Sequence, residues 1–290
     1  MFNNLKVSKA DGYFYQNLRD ILENGYYDFD YEVRPMWKDG TPAHSKFLLN
    51  IQETYDLNKC EFPITTLRPI AWKQGVGEIL WIYRDASNDL DLLRQKYGVS
   101  WWDEWDIGNR SIGCCYGYTV KKYNLLNQLI EGLKLQPFGR RHIMSLWQNA
   151  DLKQKHALDP CCFMTIWNVT SENDQLTLHM ELKQRSSDYV VAGHINKIQY
   201  VALQMLVARL VDMQVGTFTH SVNNLHIYGR HIDIAKTLIE RFEKQVLDKK
   251  PQNTVFALRE GITLKDVMPE DFRIINYNPL PALPKLELAV

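Results

Sequence analysis

The sequence predicts an α+β fold, built as a single domain over residues 1–290. Three observations lead there. Segments with the helical period and segments with the strand period follow one another without the regular alternation of a doubly wound parallel sheet. No internal repeat, low-complexity tract or linker divides the chain. With 45% hydrophobic and 23% charged residues, it has ample material for a buried core.

From the N-terminus, Ser8 and Asp11 offer a cap for a helix running to about Glu23, and Gly25 supplies its stop. Residues 77–83 (GEILWIY) read as part of a buried helix and residues 123–135 as another. Strand-like runs follow at 142–147, 162–169 and 176–182, and the polar Ser171-Glu172-Asn173-Asp174 is expected to turn the last two into a hairpin. Residues 196–212 are apolar on most sides, as a central packed helix is. A further strand is expected over 215–220. The proline-rich stretch 276–290 reads by composition as a tail lying over the surface.

Charge and composition exclude several functions. Lys+Arg and Asp+Glu both number 34, so no global basic field exists to hold a nucleic acid, and a small-molecule partner is favoured. Met1 is followed by Phe2-Asn3-Asn4-Leu5-Lys6, with no apolar run and hence no expected signal peptide. The most apolar stretch, 200–215, is broken by Gln204, Arg209, Asp212 and Gln214, so no membrane span is expected. The five cysteines include the neighbours Cys114-Cys115 and Cys161-Cys162 and show no C-x-x-C spacing. A reducing, cytoplasmic location without a metal is therefore expected.

Several residues are candidates for chemistry, each weak alone. Arg140-Arg141 is a twin guanidinium suited to an anion such as phosphate, although most such pairs at strand ends are simply solvated. Gln184-Arg185-Ser186 adds a third arginine and a hydroxyl. Pro160-Cys161 follows a loop, and a lone cysteine there usually packs; a cluster of arginines lowering its thiol pKa is what makes it a nucleophile. His226 and Tyr228 share one strand face. Asn196, at the head of an apolar helix, is by itself better read as a cap than as a reader of an amide-like ligand. Glu78, within an apolar run, needs a partner and is a candidate for proton transfer. Trp101-Trp102-Asp103-Glu104-Trp105 is either core or a stacking platform.

In order and together, the stretches VRPMWKDGTPAH, EILWIY, WWDEW followed by YG, RRHIMSLW, LDPCC, QRSSD, LHIYGRH and the terminal LAV resemble the folate-dependent, cysteine-using thymidylate synthase family. The resemblance covers nearly the whole chain. It implies that family's fold, a mixed β-sheet around a central buried helix, with sheets packed back to back in a homodimer. It implies reductive methylation of dUMP to dTMP, with 5,10-methylenetetrahydrofolate as co-substrate and no metal.

Carried over by residue, the resemblance makes Cys161 the nucleophile at C6 of dUMP. Arg34, Arg185 and Ser186 hold the phosphate, with Arg140 and Arg141 reaching it from the partner subunit. His226 and Tyr228 bind the ribose hydroxyl, Asn196 reads the uracil edge, and Gln184 lines the nucleotide. Glu78 and Tyr116 serve proton transfers. Trp102, Trp105, Asp188 and Ala192 form the folate site, Arg68 stands near the folate tail, and Ala289 and Val290 close over the ligands.

The chain departs from the family pattern in places. Val191-Ala192-Gly193-His194-Ile195-Asn196 replaces Leu-Gly-x-Pro-Phe-Asn, which puts the folate loop in question and leaves His194 either a new polar contact or a structural replacement. Asn223-Asn224 stands where the family has Gly-Asp, and the residue after the nucleophile is Cys162. The stretch from Cys161 to Arg185 is longer than usual, with the extra residues expected at its turn. The alternative of a dUMP hydroxymethylase of the same fold stays open. Trp102, the intact C-terminal ending and Asn196 favour methylation of a uracil nucleotide over hydroxymethylation and over cytosine.

Overall fold

A computed structural model describes residues 7–248 and 254–290. The N-terminal residues on which the expectation of no signal peptide rests, 1–6, lie outside these. In chain order the elements are α1 (Lys9–Asn24), β1 (Tyr26–Tyr27), β2 (Ser45–Asp56), α2 (Trp72–Tyr83), α3 (Leu90–Tyr97), α4 (Gly117–Lys122) and α5 (Leu125–Leu135). There follow β3 (Ile143–Ser145), α6 (Asn149–Leu152), β4 (Cys162–Glu172), β5 (Gln175–Asp188), α7 (Gly193–Leu210), β6 (Gln214–Tyr228), α8 (Ile232–Asp248), β7 (Val255–Leu258) and β8 (Phe272–Ile275).

A six-stranded sheet runs in the order β1-β2-β6-β5-β4-β3, and β7 pairs with β8 in a small second sheet. Only β5 and β6 are parallel neighbours in the large sheet, which makes it mixed, as predicted. Alternate residues of β5 and β6, such as Leu178, Met180, Leu182 and Phe218, are buried in the main core. The other face carries Ile166, Glu181, Thr219 and Ser221, which are half-buried. Helix α7 is buried nearly all round, and even Lys197, Gln199 and Gln204 along it are inaccessible.

The polar interruptions of α7 have structural work. The β5–β6 ladder shifts register between Leu178 and Met180. Gln204 Nε2 donates to the Leu178 and Thr217 carbonyls at 3.0 and 3.1 Å. From the opposite direction His179 Nδ1 accepts the Thr217 N–H at 3.0 Å. Buried backbone groups at an irregularity must find partners, and these side chains supply them.

The element expectations hold with shifted ends. Ser8 caps α1 by accepting from the Asp11 N–H, and the Gly25 N–H donates to the Ile21 carbonyl. Helix α5 starts at Leu125 rather than 123. Helix α7 begins at Gly193, with Ala192 in the cap position, so Asn196 is not a cap; its N–H donates to the Ala192 carbonyl at 3.0 Å. In the hairpin, β4 and β5 pair up to Glu172↔Gln175, and only Asn173 and Asp174, both with positive φ, make the turn. A two-residue turn has no room for the extra residues expected there. Strand β2, helices α3 and α8, and the small second sheet were not expected.

No helix among the described residues is long and apolar enough to cross a membrane.

Candidate active site

Strands β5 and β6 end side by side, with Asp188 paired to His226. The chain then climbs into α7, so the strand ends, the start of α7, the middle of α2 and the loop before β4 surround one cleft of about 330 Å³. That is within the range of small-molecule sites. Cys161, Glu78, Tyr116, Asn196, Arg185 and Asp188 all line it. So do Arg34, Gln184, Ser186, His226 and Tyr228, together with Trp102, Trp105, Ala192, Ala289 and Val290. The cleft thus gathers most of the residues singled out in the sequence.

Cys161 sits between two clamps. Its N–H donates to the Tyr116 hydroxyl at 3.1 Å, and its carbonyl accepts from the Arg185 N–H at 2.9 Å. The Arg185 guanidinium donates to the Asp159 and Pro160 carbonyls at 2.8 and 3.2 Å, fixing the loop that presents the thiol. Tyr116 itself adopts φ 50° and ψ −111°, a strained backbone for a residue with a Cβ. Burial pushes the Cys161 thiol above its ordinary value, and Arg185 and Arg34 pull it down only in part. Within one chain, then, the expected lowering by arginines does not outweigh desolvation. Cys162 is buried beneath, and its thiol is raised well above the ordinary range.

Glu78 is 7% exposed, and Trp101 Nε1 donates to its Oε2 at 2.6 Å. Burial pushes its carboxyl up to about 7. Asp188 is raised to about 7 in the same way, although it accepts from the Val191 N–H at 3.2 Å. The cleft therefore holds two carboxyl groups poised to gain or lose a proton near neutrality.

His226 donates from Nδ1 to Asn224 Oδ1 at 3.1 Å, and burial lowers its pKa to about 4. Asn224 thus fills the place of the missing carboxylate: it fixes the tautomer and leaves Nε2 as an acceptor with no protein partner. Trp102 packs on Trp105 at 5.5 Å and on Tyr116 at 5.2 Å, and its indole N–H favours the charged form of Glu78. Trp102 and Trp105 thus give the cleft a flat aromatic wall beside the Asp188 carboxyl. Sequence reasoning missed Gln199 and Ser187, buried residues of the cleft lining: the NH₂ of Gln199 faces Glu78, and the Ser187 Oγ has no partner. Both sit on elements already identified, but nothing in their type distinguished them from packing.

Four further candidate residues stand outside the cleft lining. Arg68 is not in the cleft lining; its guanidinium donates to the Val190 and Val191 carbonyls at 2.5 and 3.1 Å, holding the loop between β5 and α7 from behind. Arg140 and Arg141 are exposed and line no part of this chain's cleft. His194 turns into the core, stacking edge-on against Phe14 at 4.6 Å with Nδ1 3.2 Å from the Pro63 carbonyl. It is a structural replacement. The adjoining Gly193 is required there, because a Cβ would lie 2.8 Å from the Tyr189 ring.

The C-terminal tail does not merely cover the surface. Val290 and Met36 exchange two backbone hydrogen bonds of 2.9 Å, and Glu287 is held by Arg230 at 2.9 Å. Lys38, in the same loop as Met36, pairs with Glu104 at 2.8 Å, so tail, loop and tryptophan turn meet at the mouth. Among the described residues no group of three or more His, Cys, Asp or Glu could hold a metal.

Comparison with known proteins agrees with this arrangement. The profile of the family described as thymidylate synthase matches residues 12–290. The thymidylate synthase of Lactococcus lactis subsp. lactis (strain IL1403) is 45% identical over 285 residues, covering 98% of this chain and all (100%) of that protein. That of Streptococcus suis is 41% identical with the same coverage, 98% and 100%. The solved structure of thermostable thymidylate synthase A from Bacillus subtilis superposes with a TM-score of 0.85 at 30% identity, covering 97% of this chain and 99% of that one. The chain belongs to the thymidylate synthase family and is a methyltransferase of that fold.

Proposed function

We propose that the cleft carries out reductive methylation of dUMP to dTMP. Methylenetetrahydrofolate, when bound, supplies the one-carbon unit and the hydride. The observation that carries the reading is the convergence of Cys161, Glu78, Asn196 and Arg185 on one cleft. Uracil C5 is a poor nucleophile, so Cys161 adds at C6 and turns C5 into part of an enolate. Arg34, Arg185 and Ser186 hold the phosphate, while the Nε2 acceptor of His226 and the Tyr228 hydroxyl hold the ribose. Asn196 accepts from N3–H and donates to O4, a pattern matching uracil. Glu78 and Tyr116 move protons at O4 and C5. Trp102, Trp105, Ala192 and Asp188 support the pterin ring. Ala289 and Val290 exclude water from the reacting centre.

We further propose a homodimer in which the half-buried sheet faces meet and Arg140 and Arg141 reach the partner's phosphate site. Those two exposed guanidinium groups form no ion pair among the described residues, which leaves them available. Their positive charge in the neighbouring cleft would add to Arg34 and Arg185 in favouring the Cys161 thiolate.

Incubating the protein with dUMP and methylenetetrahydrofolate should yield dTMP and dihydrofolate, followed by absorbance and chromatography. Tetrahydrofolate with hydroxymethyl-dUMP as products would instead establish the hydroxymethylase reading.

A further inference from the structure

The polar wall of the cleft is a chain of side-chain amides whose orientations follow from its fixed end. The Ser186 carbonyl can only accept, and Gln184 Nε2 lies 2.9 Å from it. The same NH₂ group donates to Asn196 Oδ1 at 3.1 Å. Gln184 Oε1 then faces His220 Nε2 at 2.7 Å, so that histidine carries its proton on Nε2. With Oδ1 engaged, Asn196 offers Nδ2 to Gln199 Oε1 at 3.2 Å. The NH₂ of Gln199 is thus the terminal donor of the chain. Its residue is 3% exposed and lines the cleft with Asn196 and Glu78; its NH₂ faces the Glu78 carboxyl, which leaves one of its two protons without a hydrogen-bond partner. A buried donor left unmade costs about 1–3 kcal/mol, so an acceptor is due at this place.

We propose that Gln199 is a further catalytic residue, donating from Nε2 to the pyrimidine oxygen that becomes the enolate. The proposal rests on the reading of this cleft as the place where Cys161 adds to dUMP. In that step the thiolate pair forms the S–C6 bond, the C5–C6 π pair moves to C4–C5, and the C4–O4 π pair moves onto O4. Asn196 and Gln199 stand three residues apart on α7, so they lie side by side on one face. Both can therefore address one oxygen. The amides run donor to acceptor in one direction, which polarises the last N–H. Gln199 also lies against Glu78 and favours its charged form.

A donor fixed in place before charge develops contributes on the order of 10²–10³ in kcat. Gln199→Met keeps the length and removes the donor. It should lower kcat about 100-fold and leave the dUMP dissociation constant within about threefold. Exchange of the dUMP C5 hydrogen for solvent deuterium, measured without folate, should fall in parallel, since it needs the enolate alone. Gln199→Glu keeps the shape and tests the group by charge. Its activity should fall as pH rises through the pKa of the new carboxyl, in addition to any limb that Glu78 and Asp188 give the wild type. A kcat for Gln199→Met within about threefold of wild type overturns the proposal. An unaltered pH profile for Gln199→Glu does the same, and decides alone where the methionine variant does not fold. Wild-type protein that makes no dTMP refutes the underlying reading of Cys161 instead.

Discussion

At Glu78 the fold accepts an instability that the chemistry uses. Its carboxyl is pushed up from 4.5 to about 7 by burial, so the folded state holds the proton to higher pH than the unfolded chain does. Folding stability contributed by this group therefore falls as pH rises from about 4.5 to about 7 and is level above that. Glu78→Gln removes the loss. Relative to wild type, the variant should gain up to roughly 2–3 kcal/mol between pH 4.5 and pH 8 while losing turnover. Thermal unfolding at both pH values checks this; a difference between the two proteins that does not change with pH would refute it. Glu78 was legible because a carboxylate inside an apolar run is conspicuous. Gln199 was not, because an amide on a buried helix announces neither a partner nor the lack of one. Asn224 was visible only as a missing carboxylate, and its service to His226 Nδ1 depends on a side-chain geometry that sequence does not carry.

Among the elements, α1 was read closely because Ser8 and Gly25 both mark its ends through local hydrogen bonds. The start of α7 was misplaced because Ala192 has no capping side chain, so its first turn leaves no mark in the sequence. Strand β5 was cut short at Leu182 because Gln184 and Ser187 face the cleft rather than the core, which ends the apolar alternation. Strand β2 pairs with residues about 170 positions away and shows no steady alternation of burial. The loop between β5 and α7 rests on a similar long-range contact, the Arg68 guanidinium on the Val190 and Val191 carbonyls. Arg68→Met should raise KM for methylenetetrahydrofolate about tenfold and leave dUMP binding nearly unchanged, as expected for losing charged hydrogen bonds worth about 1.5–3 kcal/mol. Steady-state kinetics in both substrates checks it. An equal rise in both constants would mean general damage and not a loosened loop.

For the whole molecule, the cleft of one chain holds Arg34 and Arg185 but neither Arg140 nor Arg141. A mixture of the inactive variants Arg141→Ala and Cys161→Ala should therefore recover up to about a quarter of wild-type activity once subunits exchange, since hybrid dimers contain one intact site. Activity that stays absent, with exchange proven by differently tagged subunits, would count against the shared site. This level of organisation reached the sequence reading only through family resemblance. Nothing in the spacing of Arg140 and Arg141 says which chain they serve.

Beneath the amide chain lies a buried ion pair, Lys197 Nζ to Glu53 Oε2 at 2.6 Å, joining α7 to β2. The Tyr55 and Tyr189 hydroxyls donate to the same carboxylate at 2.5 and 2.7 Å, and Asn17 adds a bond at 3.0 Å. Removing one charge strands the other in the core, at a penalty of about 3–5 kcal/mol, whereas exchanging both for apolar side chains need not destabilise at all. Selection accordingly sees two positions, 144 residues apart, as a single heritable character. Across descendants of this chain, Glu53 and Lys197 should persist or vanish as a couple, and lineages that keep only one should be rare and short-lived.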